Sequence, residues 1–305
     1  VLKELRDLCG DVRDADALGH AFAAARPEVV FHLAAQPIVR TSYRQPVETF
    51  AANVMGTVNV LECIRTSDTV RSALIVTTDK VYENKEWPWG YRENEPLLGY
   101  DPYSASKSCA EIAAHSYRQS FFAGSGVRLS TARAGNVIGG GDFAPDRIIP
   151  DCIRAAVRGQ VIDIRNPHST RPYQHVLEPL SVYLMLAARQ AEDAALVGAW
   201  NVGPDDADCV TTGELADLFC RTWGAGTRWE AHADGGPHEA HFLKLDCSKI
   251  KSELGWKPRW HIAAAVEKTV EWAKAWEAGA DMRAVTEEQI EAFFAGDHRA
   301  GREIG

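Results

Sequence analysis

Short apolar runs alternate with amphipathic stretches along the first half of the chain. The runs at 29–33, 73–78 and 127–134 have the length and composition of buried β-strands. Between them, apolar residues recur at helical spacing over about 47–66 and from Tyr103 to about Phe122. Strands that alternate with helices predict a doubly wound α/β fold, in which helices cover both faces of a parallel sheet. Ligands of such sheets bind at the carboxyl ends of the strands.

The pattern changes after residue 139. The segment GGGDFAPDRIIPD is rich in glycine, proline and aspartate and predicts a loop that leaves the sheet. The later chain mixes short strand-like pieces, such as Ala199–Val202, with helical stretches, such as Ala263–Glu277. Thr286–Gln289 resembles a capping box and predicts that a final helix begins there. No low-complexity linker separates the two halves, so we expect a second lobe rather than a tethered module.

Composition and charge exclude several classes of protein. With 305 residues, 46% of them hydrophobic, the chain can bury a sizeable core. Its net charge of −9 argues against a surface that binds nucleic acid. A polyanionic small substrate would have to be bound by local arginines or by helix N-termini. No apolar run is long enough to cross a bilayer, so we expect no membrane partner. The seven cysteines are scattered, which predicts reduced thiols in a cytoplasmic protein. Neither they nor the ten histidines show the spacing of metal ligands, so we expect no metal site.

Residues able to do chemistry lie where the predicted strands end. Ala34 and Ala35 follow the first strand, and Asn136 follows the third. The triplet Thr78–Lys80 follows the second strand and holds a hydroxyl, a carboxyl and an amine. The carboxyl ends of parallel strands share one edge of the sheet, so these positions predict one functional site.

Tyr103 and Lys107 are four residues apart in a predicted helix and therefore lie on one face of it. An ammonium near a phenol favours the phenolate and lowers its pKa from about 10 toward the range of a general base. Such a tyrosine can take a hydroxyl proton while a hydride leaves the same carbon. The same spacing also arises by chance, and an exposed surface pair is the competing interpretation.

The other candidates have structural alternatives as well. Asp79 could cap the turn after its strand while Lys80 is solvated, and Asp11 could cap a turn or a helix. His175 could be a packed core residue. Arg171 suits bidentate binding of phosphate, although most arginines cover protein surface.

Five ordered segments decide between these interpretations, because together they resemble the extended short-chain dehydrogenase/reductase superfamily. They are GDVRD (10–14), VFHLAAQPIVRTSYRQPVETFAANVMGTVNVLE (30–62), TTDKVYENKEW (77–87), YSASK (103–107) and ARAGNVIGGGD (132–142). Within that superfamily, TTDKVYENKEWPWGYRENEPLLGYDPYSASK and RPYQHVLEPLSVYL resemble the CDP-glucose 4,6-dehydratases.

The resemblance implies a fold and a division into domains. We expect a Rossmann-like, NAD-binding sheet domain over 1–140 and about 172–203, and a smaller α+β lobe for the nucleotide sugar over about 141–171 and 204–305. Superfamily members begin with a strand, a Gly-rich turn and a helix, and no such turn is present near Val1. We therefore expect an N-terminally truncated chain that lacks the first roughly 50 to 60 residues.

The resemblance also implies catalytic roles. Tyr103 would deprotonate the sugar O4, Lys107 would hold the cofactor ribose, and Thr78 would hydrogen-bond the same hydroxyl. Asp79 would protonate the departing C6 hydroxyl, which requires desolvation to raise its pKa. Lys80 stands where the related dTDP-glucose dehydratases have a glutamate, so it is either a neutral base at C5 or an electrostatic stabiliser of the enolate.

The implied reaction converts CDP-glucose to CDP-4-keto-6-deoxyglucose by transient oxidation at C4, loss of water across C5–C6 and hydride return to C6. Asp11 would meet the adenine end of NAD, and Ala34 with Ala35 would line its phosphate–ribose path.

Helices at 47–66 and 103–122 would pair across a two-fold axis and give a homodimer or tetramer. The residues expected to face the nucleotide diphosphate are Asn136, Arg147, Arg171 and His175.

Two rival functions stay open at this point. Another enzyme of the superfamily, such as an epimerase, a decarboxylase or a dTDP- or GDP-sugar dehydratase, would share Tyr103 and Lys107. Epimerases and decarboxylases, however, need no Asp–Lys pair after the threonine. A non-catalytic binding protein or fragment would explain the missing Gly-rich turn, but not the intact Tyr103, Lys107 and Asp79.

Overall fold

A computed structural model describes residues 5–232, 235–236 and 240–295. The helices are α1 (Ala15–Ala25), α2 (Val39–Arg44), α3 (Pro46–Phe50), α4 (Gly56–Thr66), α5 (Pro102–Tyr117), α6 (Ile148–Val157), α7 (Leu177–Glu192), α8 (Thr212–Trp223), α9 (Ser248–Leu254), α10 (Ile262–Glu277) and α11 (Met282–Ala295). The strands are β1 (Val29–His32), β2 (Ser72–Val76), β3 (Arg128–Ala134), β4 (Val137–Ile138), β5 (Ile162–Ile164), β6 (Thr170–Arg171), β7 (Gln174–His175), β8 (Ala199–Val202), β9 (Val210–Thr211) and β10 (Trp229–Ala231). Within these residues, no helix is long and apolar enough to span a membrane.

Contacts divide the chain into two compact units. The first comprises Val1–Asn84, Glu93–Arg133 and Tyr183–Trp200, and the second Lys85–Arg92, Ala134–Val182 and Asn201–Gly305. The division differs from the expected one because β4 pairs with β7 and Tyr91 bridges to Leu245, which brings 85–92 and 134–182 into the second unit. The assignment of NAD to one unit and the nucleotide sugar to the other stays a prediction.

The first unit contains β1, β2 and β3 of a sheet whose strand order is β1-β2-β3-β8. β2 pairs in parallel with β1 and with β3. Ala73 and Ile75 pack on one face with Ile64 of α4 and Ala114 of α5. On the opposite face, the Ser72 hydroxyl donates to the carbonyl of Ala187 in α7 at 2.7 Å. Helices therefore cover both faces, as the alternation of strands and helices predicts.

Two π-helical turns and one 3₁₀ turn lie within or next to these elements. The predicted helix over 47–66 consists of α3, a π-helical turn (Ala51–Met55) and α4, and α5 continues into a second π-helical turn (Arg118–Phe122). A single 3₁₀ turn (Asp79–Val81) follows β2. π-Helical turns occur frequently at functional sites.

The second unit combines helices with short two-stranded sheets. Its core contains Ile149 of α6, Phe219 of α8 and Val266 of α10. The predicted helix at 263–277 is confirmed as α10.

The predicted capping box at Thr286 is wrong. The last helix begins at Met282, and the Thr286 hydroxyl donates to the Met282 carbonyl within it at 2.7 Å. A threonine and a glutamine three residues apart also fit a helix interior, where a hydroxyl can bond the preceding turn. A real capping box opens α8, where Thr211 and Glu214 bond each other's backbone N–H groups.

Candidate active site

The turn after β2 carries the predicted hydroxyl–carboxyl–amine triplet. The Thr78 hydroxyl donates to Oδ1 of Asp79 at 2.9 Å and accepts from the Lys80 backbone N–H at 3.4 Å, so Thr78 caps the 3₁₀ turn. Asp79 is only 1% exposed, whereas Lys80 is half-buried. The turn thus places a buried carboxyl beside a hydroxyl, at the position predicted for a general acid.

Helix α5 presents the predicted tyrosine and lysine. Asp101 caps its first turn by accepting from the Ser104 N–H at 3.0 Å, and Pro102 at the first helical position suits the fixed φ of proline. Tyr103 and Lys107 follow one helical turn apart, and both are buried. The helical spacing predicted from sequence is therefore confirmed, and an exposed surface pair is excluded.

Two hydrogen bonds hold α5 to the turn after β2. Nζ of Lys107 donates to the Val76 carbonyl at 3.0 Å, just before the turn. The hydroxyl of Ser108 donates to the Val81 carbonyl at 2.8 Å, at the end of the turn. These bonds bring the tyrosine–lysine helix and the Thr78–Lys80 turn together within the first unit.

Burial changes the protonation of Lys107. Desolvation lowers the pKa of its ammonium to about 8, while the negative charge of Glu111 acts to raise it. The ammonium therefore loses its proton at a pH far below that of an exposed lysine. Its support for a neighbouring phenolate is present below about pH 8 and is lost above it.

We expect a pH dependence of turnover from this lysine. In the wild-type protein, kcat should fall as the pH rises through about 8, since Lys107 becomes neutral. In a Lys107→Arg variant the guanidinium stays charged, so the alkaline fall in residual activity should disappear. Measured pH–rate profiles of both proteins test this, and an unchanged alkaline fall in the variant would assign it to another group.

Asn53 is a site residue that the sequence interpretation missed. It lies in the π-helical turn Ala51–Met55, and its Oδ1 accepts from the Gln36 N–H at 2.8 Å. Its Nδ2 donates to the Gln36 carbonyl at 3.0 Å and to the Ser106 hydroxyl of α5 at 2.9 Å. Asn53 thus fixes the loop after β1 relative to α5. No local pattern in the sequence distinguishes this asparagine from an exposed polar residue in the same helical stretch.

The candidates for the adenine and phosphate path are exposed or half-exposed residues of the first unit. Ala34 is exposed and Ala35 half-exposed just beyond the end of β1, in the loop that Asn53 fixes. Asp11 is exposed and forms a two-point bond with Arg13, which lowers the pKa of the carboxyl to about 2. Asp11 is therefore a fixed anion at the surface.

In the second unit, two of the four diphosphate candidates lie on or next to a pair of short strands. β4 and β7 run in parallel with Ile138 opposite His175, and the Gln174 N–H donates to the Asn136 carbonyl at 2.9 Å. The ring of His175 is buried with its edge against Trp260, and its Nδ1 accepts from the Leu177 N–H at 3.3 Å. Burial, with a smaller effect of Lys268, lowers the pKa of His175 to about 4. His175 is therefore a neutral ring at pH 7.

The two arginine candidates differ in environment. Arg171 is buried, and its guanidinium donates to the carbonyls of Thr170, at 2.9 Å, and Ala240. Arg147 precedes α6 and is half-buried, with its Nη1 at 3.4 Å from Oδ2 of Asp142. Arg147 is thus the better placed of the two to reach an anion in solution, while Arg171 stabilises backbone.

A group of possible metal ligands occurs among the described residues of the second unit. Asp205, Asp208 and His261 place one ligand atom each within 4.8 Å of one another. Asp208 already accepts from the Ile262 N–H at 3.0 Å and pairs with His261 at 2.7 Å, and Asp205 pairs with Lys251. These contacts cap α10 and neutralise the charges, so the group serves the fold.

Comparison with known proteins identifies the family. The model of the family described as GDP-mannose 4,6 dehydratase matches residues 3–269. The chain belongs to this GDP-mannose 4,6-dehydratase family. A curated CDP-glucose 4,6-dehydratase of Salmonella typhimurium is 48% identical over 296 residues, which cover 95% of this chain and 82% of that relative.

One further relative and one solved structure are more distant from this chain. A dTDP-glucose 4,6-dehydratase of Streptomyces antibioticus is 29% identical over 277 residues, covering 86% of this chain and 74% of the relative. The crystal structure of a dTDP-glucose 4,6-dehydratase from Streptomyces venezuelae, which has NAD bound, superposes with a TM-score of 0.74 at 23% identity, covering 89% of this chain and 80% of that one. The expected Rossmann-like α/β fold is confirmed, as are the resemblance to nucleotide-sugar dehydratases and the expectation of a lyase.

Proposed function

We propose that this member of the family converts CDP-glucose to CDP-4-keto-6-deoxyglucose. One observation carries the proposal: the buried Thr78–Asp79 pair lies on a turn held at both sides by α5, the helix of Tyr103 and Lys107. A proton acceptor at C4 and a proton donor at C6 are both needed for dehydration, and this unit holds a candidate for each. The 48% identical relative supports cytidine as the nucleotide.

The residues of the first unit fit NAD as the cofactor. Small side chains follow β1 in a loop fixed by Asn53, which leaves room for a phosphate–ribose path along Ala34 and Ala35. Lys107 offers an ammonium for a ribose hydroxyl, and Asp11 offers an exposed anion at the adenine end. When bound, NAD+ would supply a reversible hydride acceptor for the oxidation at C4 and the reduction at C6.

Tyr103 acts first in the proposed reaction, as the base that removes the proton of the sugar O4 hydroxyl. The Lys107 ammonium stabilises the phenolate electrostatically. Thr78 donates or accepts a hydrogen bond at the same sugar hydroxyl and orients it. The resulting ketone makes the C5 proton acidic, which prepares the loss of water.

Asp79 then protonates the departing C6 hydroxyl, so that water leaves. The carboxyl is buried, and the bond from Thr78 fixes its position. Lys80 is half-buried on the same turn and is proposed to stabilise the enolate through its charge or to remove the C5 proton in its neutral form. In the second unit, Asn136 and Arg147 are proposed as polar contacts of the nucleotide diphosphate, with Arg171 and His175 supporting the surrounding backbone.

The substrate proposal is tested with a panel of nucleotide sugars. The full-length protein is incubated with NAD+ and with CDP-glucose, dTDP-glucose, UDP-glucose or GDP-mannose, and products are identified by NMR. We expect a 4-keto-6-deoxy product from CDP-glucose at a rate at least about tenfold above the others, since one well-placed base contact discriminates by about that factor. Preferred turnover of another nucleotide sugar would overturn the choice of cytidine.

We further propose that the protein is a homodimer, or a dimer of dimers, in a reducing cytoplasmic compartment. Its seven cysteines, all within the described residues, form no disulfide bonds with one another. Large apolar side chains are exposed along the 46–66 and 102–122 helices, and such patches mark protein interfaces. They are Val47, Phe50, Met55, Ile112 and Phe121.

Substitution of this apolar surface should dissociate the oligomer. We expect the double variant Val47→Glu/Ile112→Glu to sediment as a monomer, because two buried charges per subunit would oppose association. Leu184→Glu is the matched control, since Leu184 is 60% exposed on α7 of the same unit. Analytical ultracentrifugation measures both proteins, and a variant that sediments like wild type would refute this interface.

A further inference from the structure

A buried ion pair lies beneath the turn that carries Thr78, Asp79 and Lys80. Glu111 follows Lys107 by one turn of α5, and Nη2 of Arg133, in β3, donates to its Oε2 at 2.8 Å. Both side chains are at most 4% exposed. The desolvation of two buried charges offsets much of their attraction, so apolar residues of similar volume often give a fold of equal stability. The presence of the pair is therefore weak evidence that it stabilises the fold. The function of the Glu111–Arg133 pair is therefore inferred from the other residues that it contacts.

The pair holds the residues on both sides of the turn. Oε1 of Glu111 accepts from the Thr77 hydroxyl at 2.5 Å, directly before Thr78. Nη1 of Arg133 donates to the Tyr82 hydroxyl at 2.8 Å, directly after the turn, and its guanidinium lies 5.1 Å over the Tyr82 ring. The ion pair thus spans the base of the turn from one end to the other.

Glu111 also belongs to the same helix as the tyrosine and lysine. Lys107 binds the Val76 carbonyl and Glu111 binds the Thr77 hydroxyl, so two successive turns of α5 hold two successive residues of the chain. A sliding of α5 along β2 would break both bonds at once. The register between the helix and the strand end is therefore fixed.

We propose that Glu111 and Arg133 are positioning residues, which hold the Thr78–Lys80 turn in fixed register with Tyr103 and Lys107. This inference rests on the proposed dehydratase function, in which Tyr103 acts at C4 and Asp79 at C6 of one sugar. Misplacement of a reacting group by about 1 Å can lower a rate about 100-fold, so a rigid support beneath the turn has a direct effect on catalysis. The negative charge of Glu111 has a second effect, since it acts to raise the pKa of Lys107 against the larger effect of burial.

Three variants separate the two effects. Glu111→Gln removes the charge and the bond to Arg133, whereas Thr77→Val and Tyr82→Phe each remove one hydroxyl at one side of the turn and keep the ion pair. We expect Glu111→Gln to lower kcat about 10- to 100-fold with KM for CDP-glucose within about twofold, and to move the alkaline fall of kcat to lower pH. Thr77→Val and Tyr82→Phe should lower kcat about three- to tenfold without moving that pH.

Gln190→Leu is the matched control at the opposite end of β2. Gln190 is fully buried, and its side chain bonds the Ser72 hydroxyl at 2.8 Å and the Ser130 hydroxyl at 2.6 Å. This variant should lower the thermal midpoint while leaving kcat and its pH profile unchanged. Hydrogen–deuterium exchange of the 76–82 peptide adds a readout that needs no substrate: exchange should quicken in Glu111→Gln and Thr77→Val and not in Gln190→Leu.

The outcomes distinguish this inference from the proposed function. Glu111→Gln or the two hydroxyl variants with wild-type kcat, pH profile and peptide exchange would overturn the positioning role, as would an equal loss of kcat in Gln190→Leu. Circular dichroism establishes folding first, and the hydroxyl variants decide the question where Glu111→Gln does not fold. A wild-type protein without a 4-keto product would instead refute the proposed function, and peptide exchange would still decide whether the pair fixes the turn.

Discussion

Asp79→Asn should abolish dehydration while leaving oxidation at C4 intact. The amide has nearly the shape of the carboxyl and its oxygen can still accept from the Thr78 hydroxyl, but it has no acidic proton for the departing C6 hydroxyl. Loss of a general acid lowers a rate about 10²- to 10⁴-fold. We therefore expect formation of the 4-keto-6-deoxy sugar to fall by that factor, while the near-ultraviolet absorbance of reduced cofactor rises on addition of CDP-glucose.

Asp193→Asn is the control for this experiment. Asp193 also belongs to the first unit and caps a 3₁₀ turn by accepting from the Ala195 N–H at 2.9 Å. An asparagine caps as well as an aspartate, so both activity and thermal midpoint should stay at wild-type values. If Asp79→Asn releases the 4-keto-6-deoxy product at the normal rate, the proton comes from another group and the role given to Asp79 is wrong.

Tyr103→Phe should stop the reaction one step earlier. The ring keeps its packing in α5, but the base for the O4 proton is lost, so neither reduced cofactor nor dehydrated product should accumulate. We expect kcat to fall about 10²- to 10⁴-fold. Stopped-flow absorbance and NMR of the product measure the two steps separately.

Tyr117→Phe provides a matched control within the same helix. Tyr117 ends α5, and its hydroxyl lies 3.3 Å from Oε2 of Glu62, so the variant removes a hydroxyl far along the helix from Tyr103. Its kcat should equal that of wild type. A Tyr103→Phe variant that still reduces the cofactor on addition of CDP-glucose would show that another group takes the O4 proton.

Local signals in the sequence were sufficient for the strands of the four-stranded sheet. The apolar runs at 29–33, 73–78 and 127–134 correspond to β1, β2 and β3, and their carboxyl ends do carry Ala34, Thr78 and Asn136. Strand length, alternation with helices and turn residues act over a few positions, so they can be read from the chain itself.

The supports of the site could not be predicted in the same way. Glu111, Arg133 and Asn53 bond residues 20 or more positions away, and no local pattern distinguishes a buried carboxylate with such partners from an exposed one on the same helix. The capping box at Thr286 failed for a related reason, because its spacing is also compatible with a helix interior. Arg171 has the right residue type for an anion, yet backbone carbonyls occupy its guanidinium.

The most direct test of the proposed reaction follows the hydrogen at C4 of the sugar. The full-length protein is incubated with NAD+ and CDP-glucose that carries deuterium at C4, and the product is examined by NMR. We predict CDP-4-keto-6-deoxyglucose with the deuterium on C6. A product that keeps its C6 hydroxyl, or a 4-keto-6-deoxy product without deuterium at C6, would contradict oxidation, dehydration and hydride return within one site.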